Sequence, residues 1–493
     1  MNKKLLALSS LLVITACSEE STDTTPTDGT PSDVVPGEET PGEETPGEET
    51  PTVEVPSTYD FASLSDASAS GVSKSGQVLR HILINELSAY VGGLTQELDS
   101  AAFSPTDEGQ VVAALDFYFR FDSDSNGGES LESFSLDLET TQATFDDVSS
   151  GKDIAGKLAG NDSATDHAVW SSEFTGWSDA EIVAHGGSLT SPEGLVIAFF
   201  ETVEANALGR VNGIVRTGPD GTQLPVYLTE SGLDLKQLIQ KFLLMAVTFS
   251  QGTDDYLDDD VEGKGLLASN EWDGESPYTD LAHAWDEGFG YFGAAVAYGD
   301  RSDVSIADSA ADDSDQDGLI DLGSEYSYGA SVNAAKRDKG ADIATDFSAG
   351  AFEAFLAGRA LIQATSGELS ANELDQLRTH RDAAVGNWDA AIAATVVHYI
   401  NDVLADMEAI GSDDYAFADH AKHWSELKGF ALGLQFNPRS PLSDSDFATF
   451  HGLVGDAPVL DAAGLDDYAS DLIDARNLLE DAYDFAPENA QGW

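Results

Sequence analysis

The sequence predicts a mostly α protein, two packed helical bundles related by a pseudo-repeat, behind a disordered N-terminal stalk. Three observations predict it. Apolar residues recur at spacings of three and four through most of the chain after Tyr59. Strand-like runs are confined to two short stretches, Val111 to Phe121 and Val226 to Leu228. Residues 18 to about 57 hold almost no large apolar groups and cannot bury a core.

The N-terminal elements come first. Lys3 and Lys4 precede Leu5 to Ile14, an apolar run too short to cross a bilayer as a mature helix. Ile14-Thr15-Ala16-Cys17 resembles the lipobox of bacterial lipoproteins. That resemblance implies a signal peptide over residues 1–16 and a lipid on Cys17, the one cysteine of the chain. Ser18 after the cysteine favours an outer-membrane destination, with the membrane as partner through the lipid. Residues 17–57 then form the anchor and an acidic linker, with Pro-Gly-Glu-Glu-Thr repeated three times from Pro36 to Thr50. Like charges and prolines extend such a segment to about 100 Å at roughly 3 Å per residue.

The globular part divides in expectation into a first helical lobe with loop insertions, 58–335, and a second, 336–493. Ser75 to Leu94 carries Leu79, Ile82, Leu83, Leu87 and Val91 on one helical face. Ser191-Pro192-Glu193 is a helix start, with the serine as cap and the proline in the first turn. Leu233 to Phe249, Thr279 to Ala297, Asp342 to Thr365, Ala371 to Ile410 and Phe417 to Gln435 are further helices. The Asp-, Ser- and Gly-rich segments between them are loops.

The formal net charge is −66, from 89 acids against 23 bases. Such a surface repels phosphate backbones, which excludes nucleic acid as a partner. It suits salty water, where screening shrinks self-repulsion, and it attracts cations.

Two patterns could carry chemistry. The first is an echo, Trp285-x-Glu287-x-x-Gly290-Tyr291 and Trp424-x-Glu426-x-x-Gly429-Phe430, continued by Ala294 and Gly433. It predicts two equivalent helices facing each other, Glu287 beside Glu426. His283, Asp286 and Glu287 share a helical face, as do His423 and Glu426, with His420 one turn earlier. Imidazole and carboxylate at these spacings chelate a transition metal such as iron or zinc in bundle proteins; a His–Glu hydrogen bond fixing helix packing explains them equally. The second pattern is Asp313-x-Asp315-x-Asp317-Gly318-x-x-Asp321, which resembles the calcium loops of EF-hand and thrombospondin type 3 repeats. Position 12 is Ser324, and Glu325 comes one residue late. Asp122-x-Asp124-x-Asn126-Gly127 begins the same way and stops. No catalytic residue is assigned: the sequence holds no H-E-x-x-H, no G-x-S-x-G and no second cysteine.

His283 to Gly293, Glu325-Tyr326 with Asn333 to Asp338, and His423 to Phe430 with Phe436-Asn437-Pro438 together resemble a bacterial lipoprotein family catalogued only as a domain of unknown function. That family, often from marine bacteria, tends to occur beside imelysin-like proteins and outer-membrane receptors, which implies a part in iron or metal acquisition and such partners. The chain is also distantly similar to imelysin, whose motif is G-x-H-x-x-E. His423-x-x-Glu426 matches its end, with Ala421 at the glycine position, and His283-x-x-Asp286 matches less well, with Leu281 there. The resulting expectation is a non-enzymatic, cell-envelope lipoprotein for metal handling or ligand binding. An imelysin-like metallopeptidase and a calcium-stabilised adhesion or polymer-binding module are the alternatives.

Overall fold

The structure is a computed structural model and describes residues 53–135, 138–178, 182, 189–461 and 463–493. Cys17 and the Pro36–Thr50 repeats lie outside the described residues. Val53–Trp493 forms one compact unit. It is mostly helical, and among the described residues β pairing is limited to isolated bridges.

The chain opens with α1 (Ser75–Ser100), whose Leu79, Ile82, Leu83, Leu87, Val91 and Leu94 are fully buried. The left-handed Ala101 ends it. Next comes α2 (Gln110–Phe119), where the sequence suggested a strand. Its β-branched and aromatic residues also fall at four-residue spacing, and Val111, Leu115 and Phe119 are all 0% exposed. Glu204 decides the matter by accepting from the free N–H groups of Gly109, Val111 and Val112 at the helix start. The second suggested strand, Val226 to Leu228, forms only a bridge from Leu228 to Asp234.

Ser191 caps α3 (Pro192–Val211) with Pro192 in its first turn, as the motif dictates. Helix α4 (Leu235–Leu243) runs on into a π-helical stretch, Leu244–Phe249, and a second, Gly252–Tyr256. Gly252 lets Trp388 pack against the second stretch: a side-chain carbon there would stand 2.7 Å from the Trp388 ring. Thr279 caps α5 (Asp280–Phe292), which closes on left-handed Gly293.

The later helices are α6 (Gly329–Gly340), α7 (Phe347–Ala364), α8 (Ala371–Ala409), α9 (Phe417–Ala431), α10 (Asp444–Val454) and α11 (Leu465–Tyr483). At 39 residues, α8 is about 58 Å long at 1.5 Å per residue. It is the axis against which α6, α7, α9 and α11 pack. Helices α1 and α5 pack on each other and α5 on α7, while α9 packs on α4 and α8. A large apolar core rich in Trp, Phe, Leu and Ala side chains runs through the unit, with a small second cluster of Leu224, Leu228, Phe417 and Ala421 beside it. Among the described residues no helix is long and apolar enough to cross a membrane.

Candidate functional site

The two echo helices use the same local device on different neighbours. In α5, Gly290 lets α1 approach until a side-chain carbon on the glycine would stand 2.9 Å from the Gln77 Cβ. Gln77 then reaches back along α5 and donates from Nε2 to Glu287 Oε1 at 2.9 Å. In α9, Gly429 does this for α4: the corresponding distance to the Lys241 Cβ is 2.7 Å, and Lys241 Nζ lies 3.3 Å from Glu426 Oε1. The W-x-E-x-x-G pattern is therefore a docking notch. The glycine admits a long polar side chain, and the glutamate one turn back receives its end. Both tryptophans are fully buried and anchored, Trp285 Nε1 donating to the Phe355 carbonyl and Trp424 Nε1 to the Tyr468 hydroxyl.

The two acids, expected to face each other, have separate partners. Glu287 answers to α1 and Glu426 to α4, and no bond joins them. The histidines diverge as well. His283 Nε2 is 3.7 Å from Glu287 Oε2, and its ring stacks on Tyr278 at 4.5 Å. His423 turns from Glu426 to Asp406 on α8, 2.8 Å from Nδ1 to Oδ2, and this hydrogen bond raises its pKa. His420 is buried, with Nδ1 3.2 Å from the Tyr415 hydroxyl.

Asp286, expected to join His283 as a ligand, is 0% exposed and points the other way. It takes Arg359 Nε at 2.9 Å, the Tyr59 hydroxyl at 2.9 Å and the Ser73 N–H at 3.4 Å. Burial pushes its carboxyl up and Arg359 pulls it back. Arg359 is itself 1% exposed and rests on the Phe61 ring. Lys428 of α9 is also turned inward, donating to the Gly455 carbonyl at 2.5 Å and meeting Asp456 at 3.2 Å. Arg359 thus faces Asp286 and Lys241 faces Glu426, so both echo helices hold a buried acid against a base.

Convergence occurs instead in the 313–321 loop. Among the described residues, the group of three or more potential ligands whose oxygens lie within 4.8 Å of one another is Asp313, Asp315 and Asp317. The backbone builds it. Asp313 accepts from the N–H groups of Asp317 and Gly318, both at 3.1 Å, and Asp315 accepts from Asp317 at 3.0 Å. Gly318 supplies the left-handed bend at φ +88°. Asp321 stands outside the group, accepting from Gly323 N–H at 2.7 Å and Gln142 Nε2 at 3.3 Å. Glu325, one residue late for a ligand, staples the loop from behind by accepting from Ser314, at 2.8 Å, and from Asp321, at 3.0 Å. Three carboxylates, with backbone carbonyls and water to complete the shell, suit a hard oxygen-seeking cation such as calcium. The other candidate loop folds differently: Asp122 caps the short helix Ser123–Asn126.

One polar site had no sequence signal. A cavity of about 600 Å³ opens between α8, the end of α11 and the loop after α9, with Arg381, Asp389, Asn437, Arg439 and Tyr483 in its wall. Asp389 is 1% exposed. It takes hydrogen bonds from Asn437 Nδ2 at 3.0 Å and the Tyr483 hydroxyl at 3.1 Å, and burial pushes its carboxyl up to about 6.

The fold and these sites define an all-helical protein whose converging carboxylates lie on an outer loop. The chain belongs to the family described as Domain of unknown function (DUF4856), whose model matches residues 56–450. No curated protein and no solved structure matches it.

Proposed function

We propose that this chain is a lipid-tethered binding protein of the cell envelope whose metal is calcium, held in the 313–317 loop. The observation that carries the reading is the convergence of Asp313, Asp315 and Asp317 within 4.8 Å on a loop already closed by Glu325. Three like charges so close repel one another unless a cation neutralises them. A site of three carboxylates completed by water belongs to the weak, extracellular range of calcium affinities, about 0.1–1 mM. The helical Glu287, Glu426 and His423 each have a protein partner, which favours this reading over transition-metal handling or peptidase chemistry.

Thermal unfolding of the full chain in calcium tests this. At calcium ten times its dissociation constant the gain is about 1.4 kcal/mol, read as a rise in melting temperature. The double variant Asp315→Ala, Asp317→Ala should lose that rise, and equimolar magnesium should give less of it in the native sequence. An undiminished rise in the double variant assigns the effect to the general acidic surface and ends the proposal.

A further inference from the structure

The cavity beside Asp389 has an imbalance that selects its occupant. Each guanidinium in its wall already has a carboxylate. Arg381 meets Asp259 at 3.1 Å and Asp382 at 2.6 Å, and Arg439 meets Asp258 at 2.5 Å. Asp389 has no such partner among the described residues: its bonds come from the Asn437 amide, the Tyr483 phenol and the Ser440 hydroxyl, all neutral. An ionised carboxylate has about four acceptor positions, so these donors leave room for one more. A buried carboxylate without a counter-charge is costly, and the cost is removed by a cation that brings its own N–H donors.

We propose that this cavity binds a small organic cation, its primary ammonium seated on Asp389 and its carbon skeleton against Val385, Ala390, Ala482 and the Tyr483 ring. The volume, about 600 Å³, is of the size that encloses a small organic ligand. An anion finds both guanidiniums neutralised and an acid at the floor. Asp382 and Asp484 also line the cavity, but Arg381 holds Asp382, and a divalent metal needs six or more oxygens. The Asn437 carbonyl oxygen is engaged by the Arg439 N–H at 3.0 Å, which keeps the Asn437 amide turned toward Asp389. The net charge of −66 concentrates cations around the molecule and feeds such a site. The site is separate from the calcium loop and stands or falls independently of it.

The test is calorimetric titration of the full chain with tyramine, which carries a ring and a primary ammonium, and with 4-ethylphenol, which lacks the ammonium. The work is done in 0.3 M salt, on the order of the concentration that screens exposed charges beyond about 6 Å. Tyramine should bind one to one and 4-ethylphenol at least tenfold more weakly. Asp389→Asn should lower tyramine affinity tenfold or more, while the exposed Asp466→Asn leaves it unchanged. Ala482→Phe, which fills the cavity and keeps Asp389, should abolish binding, and it decides the matter if Asp389→Asn does not fold. Equal losses in Asp389→Asn and Asp466→Asn, equal binding of 4-ethylphenol, saturation at many sites, or no binding at all would overturn the proposal.

Discussion

Lys241 crosses Gly429 so closely that a side-chain carbon on the glycine would stand 2.7 Å from the Lys241 Cβ. The crossing brings Lys241 Nζ to 3.3 Å from Glu426, one turn away on the same helix. Gln77, Gly290 and Glu287 repeat the relationship between α1 and α5. A short sequence pattern is explained in both places by one steric fact, the absence of a side chain where two helices touch.

Gly429→Ala should therefore destabilise the protein by about 1–3 kcal/mol, the usual cost of forcing an extra carbon into a packed contact. Gly290→Ala should act alike, since its added carbon would meet both Lys74 and Gln77 within 2.9 Å. Urea unfolding measures this. By contrast, Gly93 and Gly452 have nothing within 4 Å of an added carbon, and alanine there should be neutral or mildly stabilising.

Removal of one member of the Asp286–Arg359 pair strands a buried charge. Asp286→Ala should cost about 3–5 kcal/mol, and Asp286→Leu with Arg359→Met should recover most of it, because the pair's own desolvation cost goes with it. A double variant as unstable as the single one would show that the ion pair itself, rather than the stranded arginine, supplies the stability.

His81 sets a pH dependence. It is 1% exposed, with Nε2 3.2 Å from the Tyr291 carbonyl, and burial drives its pKa down to about 4. The unfolded chain takes up a proton on this ring near pH 6.5, and the folded chain does so only near pH 4. Stability must fall as pH drops through that window, by on the order of 3 kcal/mol from this residue. Asp389 works in the opposite direction, since its folded pKa of about 6 makes the folded state the better proton acceptor below that pH. His81→Gln keeps a donor for Tyr291 and should flatten the acid limb of the stability curve; an unchanged limb assigns it to other groups.

The proposed tether rests on Cys17. Without its thiol no lipid can be attached, so Cys17→Ala should move the protein from the membrane to the soluble fraction. Retention on membranes after a salt wash would refute the lipid anchor.

Helices were legible in the sequence wherever local chemistry determines them. The four-residue stripe from Leu79 and the Ser191-Pro192 start needed no distant partner. The segment Val111 to Phe121 was misread because strand propensity and helical spacing coincide there, and the deciding group, Glu204, lies more than ninety residues away. The same limit applies to the sites. Spacing revealed the 313–317 carboxylates because one short loop supplies them all. It could not reveal that Glu426 answers to Lys241 or that His423 turns to Asp406, since those partners sit on other helices. Asp389 carries no sequence signal, and only the packing of Asn437 and Tyr483 around it sets it apart.

The π-helical turns at Leu244–Phe249 and Gly252–Tyr256 have a consequence for descent. A π turn closes over one residue more than an α turn does. Removing a residue from either stretch restores a regular helix without displacing the helix before it or the loop after it. Elsewhere in a helix the same deletion would rotate every later side chain by about 100°. Differences in length among kindred chains should therefore collect within residues 244–256. A kindred chain shorter by one there would lose the local widening that carries Asp254 beneath His167, 2.8 Å away, while keeping the rest of the fold.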